Sequence, residues 1–205
     1  MRILKTILYW VVQCTWGVIM TLIGSVVAVI CLITKHKPKR FGKAVYFVIG
    51  KNWGGISLGG FFFISASQDD MDTKTHEYGH TIQNLLLGPL FPFIVGIPSA
   101  SRCQLFNLRS DVKRKRYSIL FPVITIGVSL ICFVVSICVL SFTSFVNLGR
   151  TLTIITSILV LYASIISLWI NCFEYPNLWK HDYYSVWFEG TASSIGGKLV
   201  DNRDF

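Results

Sequence analysis

The sequence predicts a mainly α-helical integral membrane protein, and three observations lead there. Charged residues make up 14% of the 205-residue chain and apolar types 53%, whereas a typical soluble domain carries about 25% charged residues. Mean hydropathy is +0.59. Long uncharged stretches end in clusters of lysine and arginine, the pattern that membrane topology imposes. The expected architecture is a single domain over residues 1–205. It has about three spanning helices, a broken or re-entrant helical pair and a short β-hairpin. The composition excludes disorder, a coiled coil and a disulfide-framed secreted module. It also leaves too few charges to coat a soluble globule.

The net charge of +9 would suggest nucleic acid in a soluble protein. Here the positive residues sit between apolar runs, and no basic face with interleaved aromatics is formed, so no nucleic-acid partner is expected. The six cysteines include no CxxC pair and fall mostly in apolar stretches. They read as small buried hydrophobes.

The first element is the uncharged run Ile7 to Ile33, followed by Lys35, Lys37, Lys39 and Arg40. It is too long for a signal-peptide core and predicts one transmembrane helix, tilted or partly interfacial at one end. From Ala44 to Gln68 glycine is dense, and Ala44 to Ile49 and Phe61 to Ile64 are β-branched or aromatic. With turn chemistry at Gly50 to Gly54, this predicts a β-hairpin or short sheet. Thr81 to Ser101 is uncharged but holds Gly88-Pro89, Pro92, Gly96 and Pro98. Proline bends helices, so a helix ends near Leu87 and a second segment returns. Tyr117 to Gly149 and Thr151 to Phe173 predict a helical hairpin turning near Asn147 to Arg150.

Charge sets the expected orientation. The basic loops 35–43 and 109–116 face the cytoplasm, as do residues 174–205. The first helix then runs inward from outside, an arrangement that Arg2 and Lys5 oppose because they would lie outside.

Chemistry concentrates at His76-Glu77-Tyr78-Gly79-His80, an HExxH sequence. On a helix, residues i and i+4 share a face, so both imidazoles can meet one ion. Glu77 is turned about 100° away and can reach a water beside the ion without ligating it. This is the arrangement of zinc-activated hydrolysis. Two of the four histidines and one of the three glutamates fall within these five residues. Such a concentration beside a membrane is costly without a metal. Asp72 is the expected helix cap, with Thr73 and Thr75 in the first turn. Gln83 and Leu87 share the histidine face.

A third ligand is required. No histidine follows at metzincin spacing, so a downstream glutamate is needed, either Glu174 or Glu189. Glu174 ends the last predicted span. Glu189 precedes Gly190-Thr191-Ala192-Ser193, which on a helix puts Ala192 and Ser193 on its own face and lets that helix press against Gly79. Glu189 is therefore preferred. These residues resemble the membrane-embedded gluzincin metalloproteases, of the HtpX and CAAX-prenyl-endopeptidase type. The resemblance implies zinc on His76, His80 and Glu189, with Glu77 as general base. It departs at Ser193, where that group often has an aspartate orienting the first histidine; Ser193, Asp182 or a backbone carbonyl would take its place.

An oxyanion donor is expected in Lys180-His181-Asp182-Tyr183-Tyr184, either His181 or a tyrosine; the plainer alternative is an interfacial aromatic belt with His181 merely exposed. The glycine-rich stretch lacks a phosphate-loop pattern. Ile56 to Ile64 is expected to form a strand edge beside the site, suited to pairing with an extended peptide. Together these features lead to a membrane zinc metallopeptidase acting at the cytoplasmic face on a peptide or membrane-protein substrate. A zinc-bound scaffold and a lipid or amide hydrolase are the alternatives.

Overall fold

The structure is a computed structural model that describes residues 2–108, 112–141, 148–169 and 183–201. These are mostly helical, with one small mixed sheet. The chain divides into two compact units, Met1–Val95 with Tyr184–Phe205, and Gly96–Tyr183.

In the first unit the single helix expected over Ile7 to Ile33 is corrected. The run forms α1 (Arg2–Thr15) and α2 (Val18–Ile33), bent by 100° at Trp16-Gly17. Counting only formal charges hides the cause, because the run contains Gln13 and Thr21. Both are buried, and both join a polar network at the bend. Asn84 Nδ2 donates to Gln13 Oε1 at 2.7 Å and to the Gly17 carbonyl at 3.3 Å. Gln13 Nε2 donates to the Thr81 carbonyl at 2.9 Å, and Thr21 Oγ1 donates to Gln13 Oε1 at 3.2 Å. Buried amides demand partners, and a straight helix would leave these without them.

The expected hairpin is a four-stranded sheet in the order β1-β2-β4-β3. Strands β1 (Lys39–Phe41) and β2 (Ala44–Val48) form one antiparallel hairpin, and β3 (Gly55–Leu58) and β4 (Phe61–Ile64) form another. The two join through parallel pairing of β2 with β4, Tyr46 opposite Phe62 and Phe47 opposite Phe63. The turn at Gly50 to Gly54 thus leads to an edge strand instead of closing a hairpin. Side chains alternate between faces along a strand. Tyr46 and Phe62 stack at 5.0 Å in a core with Tyr9, Phe41 and Tyr78. Phe47 and Phe63 stack at 5.7 Å in a second core with Met20, Phe91 and Phe188. Both faces of the sheet are covered, which explains a nearly continuous apolar sequence.

Helix α3 (Met71–Leu87) carries the HExxH residues. Its cap is Asp70, two residues before the expected Asp72, and it accepts from the Thr73 N–H at 2.8 Å. Asp69 ties the helix to β1 through Lys74 at 2.8 Å and Lys39 at 3.0 Å. The Lys74 hydrogen bond holds its carboxyl below the usual range. As expected, α3 ends at Leu87; Gly88, at φ +54°, takes the cap. A 3-10 turn (Gly88–Leu90) and a π turn (Pro92–Gly96) follow.

Helix α7 (Trp187–Asp201) lies across α3. A Cβ on Gly79 would overlap the Ala192 carbonyl, and one on Gly196 would overlap the Thr75 carbonyl. The two backbones therefore touch at two points, which only residues without side chains permit.

The second unit holds α4 (Ile97–Leu108), α5 (Val112–Ser141) and α6 (Leu148–Trp169). The pair α5–α6 is the expected hairpin in its helices. Its turn is not at 147–150, since α6 already begins at Leu148; residues 142–147 lie outside the described residues. Thr125 and Ser164 bond across the pair at 2.6 Å, and Ser129 and Ser157 are buried. Among the described residues no single helix is long and apolar enough to cross a membrane.

Placing a branched side chain at the α3–α7 contact should unfold this arrangement. Gly79→Val is expected to lower stability by about 2–3 kcal/mol, or to prevent folding, in chemical denaturation followed by circular dichroism. Gly197→Ala should be close to neutral, since nothing lies within 4 Å of the added atom.

Candidate metal centre

Three side chains converge where α3 meets α7. His76 Nε2 and His80 Nε2 are 3.2 Å apart. Glu189 Oε2 lies 3.2 Å from the first and 3.4 Å from the second. The glutamate side chain is only 1% exposed, against 12% for His76 and 8% for His80. This group could hold a metal ion. It unites three residues singled out from the sequence, and among the described residues Glu189 is the carboxylate that meets the histidines.

The far side of each imidazole is also fixed. His80 Nδ1 lies 2.8 Å from Gln83 Oε1. That oxygen only accepts, so Nδ1 carries the proton and the Nε2 lone pair turns toward the centre. The Gln83 amide group donates to the Phe188 carbonyl and to Thr191 Oγ1, both at 2.8 Å. One side chain thus orients a histidine on α3 and clamps the residue before Glu189 on α7. His76 Nδ1 meets Ser193 Oγ at 2.9 Å. Ser193, one of the partners expected for the first histidine, therefore contacts it. The Tyr184 ring stands edge-on to His76 with centroids 5.2 Å apart.

Burial works against charge on His80. The Glu189 hydrogen bond and the charges of Glu77 and Glu189 outweigh it, so the imidazole pKa is raised. A metal at this centre must displace that proton, so its apparent affinity rises with pH.

Glu77 lies beside the triangle and outside it, buried at 6% exposure. The Ser57 hydroxyl, from edge strand β3, lies 2.6 Å from Glu77 Oε2 and 2.7 Å from the Glu77 carbonyl oxygen and shares its one proton between these acceptors. A Cβ on Gly55 would overlap Oε1, so the strand backbone closes over the carboxylate. Ser57 had no local signal in the sequence, because its role depends on strand register. Gln83 had one, its place on the histidine face. His181, Glu174, Lys180 and Asp182 lie outside the described residues.

No protein-family model, curated protein or solved structure matches this chain. Function has to be argued from the site itself.

The clamp can be checked on purified protein. Gln83→Leu should weaken metal retention about 10–100-fold in chelator competition, with Ser193→Ala acting in the same direction. Retention in the parent protein should also fall as pH is lowered. An unchanged affinity in Gln83→Leu would remove Gln83 from the support of the centre.

Proposed function

We propose that the chain is a zinc-dependent metallopeptidase of the gluzincin kind, working at the cytoplasmic face of a membrane on a peptide or membrane-protein substrate. The observation that carries this reading is the His76–His80–Glu189 triangle with a separate, buried glutamate next to it. Ligands about 2.0–2.1 Å from a tetrahedral ion are spaced about 3.3 Å apart. The triangle has edges of 3.2, 3.2 and 3.4 Å, so it matches one face of that tetrahedron and leaves the fourth corner for substrate or water. Two imidazoles and one carboxylate are a catalytic zinc set. Calcium favours six to eight oxygen ligands at longer distances.

When bound, zinc supplies a Lewis-acid centre that polarises a carbonyl and acidifies water. Glu77 takes the proton of the attacking water and passes it to the leaving amine. Its Oε2 is anchored by Ser57, so the carboxylate is aimed before substrate arrives. Strand β3 is the outer strand of the sheet, with Gly55 and Ile56 exposed. That exposed half suits pairing with an extended peptide beside Glu77. Tyr184, half exposed beside His76, is a candidate donor to the oxyanion. Association with a lipid bilayer is supported by outward apolar side chains along α1, α2, α5 and α6, including Leu22, Val26, Ile131 and Leu152. A water-facing surface rarely carries apolar patches of that extent.

Glu77→Gln tests the reading against His80→Ala in one proteolysis assay. The glutamine variant should keep about one zinc per chain and its fold, and lose turnover by about 10²–10⁴. His80→Ala should lose metal and turnover together. Full activity in Glu77→Gln, or no zinc in the parent protein after zinc is supplied, would overturn it.

A further inference from the structure

We propose that α1 and α2 form a re-entrant pair, which enters and leaves the same leaflet of the bilayer while the basic residues at its two ends sit among anionic lipid headgroups. This rests on the membrane association proposed above and adds how the chain meets the lipid.

The outward faces come first. In α1, Tyr9 and Gln13 turn into the protein while Ile3, Leu4, Ile7 and Leu8 face out. In α2, Thr21, Gly24, Ala28 and Cys31 turn in, and every exposed residue is valine, leucine or isoleucine. Only hydrocarbon suits so long an apolar face on both helices.

The bend fits a pair that enters the bilayer and returns. At 1.5 Å per residue the 14 residues of α1 and the 16 of α2 are about 21 and 24 Å long. A change of direction of 100° puts the apex only about 17 Å from the line joining the two ends, roughly half of a hydrocarbon core about 30 Å thick. The bend also frees backbone groups, which would be costly in lipid. Gln13 and Asn84 lie at the apex, where Asn84 caps the Gly17 carbonyl.

The chain that follows α2 comes back to α1. Arg40 Nη2 reaches Thr6 Oγ1 at 3.4 Å, and Arg40 Nε donates to the Gly42 carbonyl at 3.0 Å. The basic segment after α2 therefore returns to the start of α1. Lys5, Lys35, Lys37 and Arg40 are all exposed. A single crossing would put Lys5 and Lys37 on opposite faces; re-entry puts both on the cytoplasmic face, as the distribution of positive charge requires. Cations beside a face already committed to lipid match anionic headgroups.

Site-specific labelling of the full chain tests this. In a background with the other cysteines replaced, Lys5→Cys, Lys37→Cys and native Cys14, exposed two residues before the bend, are each probed with a membrane-impermeant maleimide. Right-side-out and inverted vesicles are compared. Residues 5 and 37 should label only in inverted vesicles, and Cys14 only after detergent. Labelling of 5 and 37 from opposite sides would overturn re-entry while leaving membrane association intact. Labelling of Cys14 in intact vesicles as fast as position 37 would overturn lipid insertion. Recovery of the protein in the soluble fraction would overturn the membrane reading and this inference with it. For the headgroups, proteoliposomes of phosphatidylcholine alone and with phosphatidylglycerol are treated with trypsin. Cleavage after Lys35, the bond beyond Lys37 being closed to trypsin by Pro38, should slow severalfold with the anionic lipid, and high salt should remove the difference. Equal cleavage in both would overturn the headgroup contact.

Discussion

The contact between the backbones of α3 and α7 is the constraint on which the candidate centre depends. Gly79 lies against the Ala192 carbonyl and Gly196 against the Thr75 carbonyl. A side chain at either position would push the helices apart and carry Glu189 away from the histidines. Helices packed through ordinary side chains sit about 8–10 Å apart, so small residues at these crossings bring a short glutamate within reach of two imidazoles. Gln83 and Ser193 then exploit the same closeness, since each bonds across the helix pair.

That closeness has an electrostatic consequence. Glu189 is a carboxylate withdrawn from water, and removing a charge from water is costly unless it is paired. The imidazoles answer it when one of them holds a proton, and a divalent cation answers it more strongly. Folding of the α3–α7 contact and affinity for a cation are therefore linked, because each favours the other. Glu77 belongs to a separate arrangement. Its partner comes from the sheet, so the proposed base can be lost without dismantling the ligand set.

The bend between α1 and α2 shows the same economy of polar contacts in an apolar setting. Gln13, Thr21 and Asn84 satisfy one another and the Gly17 carbonyl. Thr81 and Asn84 lie on α3, next to His80 and one turn beyond it. The network that bends the apolar pair thus also anchors the helix bearing the ligands.

Much of this was legible in the sequence. Two histidines four apart share a helix face whatever surrounds them, so the His76–Glu77–His80 geometry follows from local periodicity. The end of α3 near Leu87 follows from Gly88-Pro89, and the pressing of the Glu189 helix on Gly79 from the run of small residues after Glu189. Other features were decided by tertiary structure. Gln13 breaks an apparently continuous apolar run because an amide on another helix lies opposite it. Two hairpins become one sheet through a parallel pairing between β2 and β4, which no local turn signal encodes. Ser57 reaches Glu77 because sheet order makes β3 an edge strand beside α3. Periodicity and turn chemistry are carried by neighbours in the chain, whereas the partner of a buried polar group can lie anywhere in it. The ligand helix was therefore written locally, and the support for its base was settled only when the sheet and helices packed.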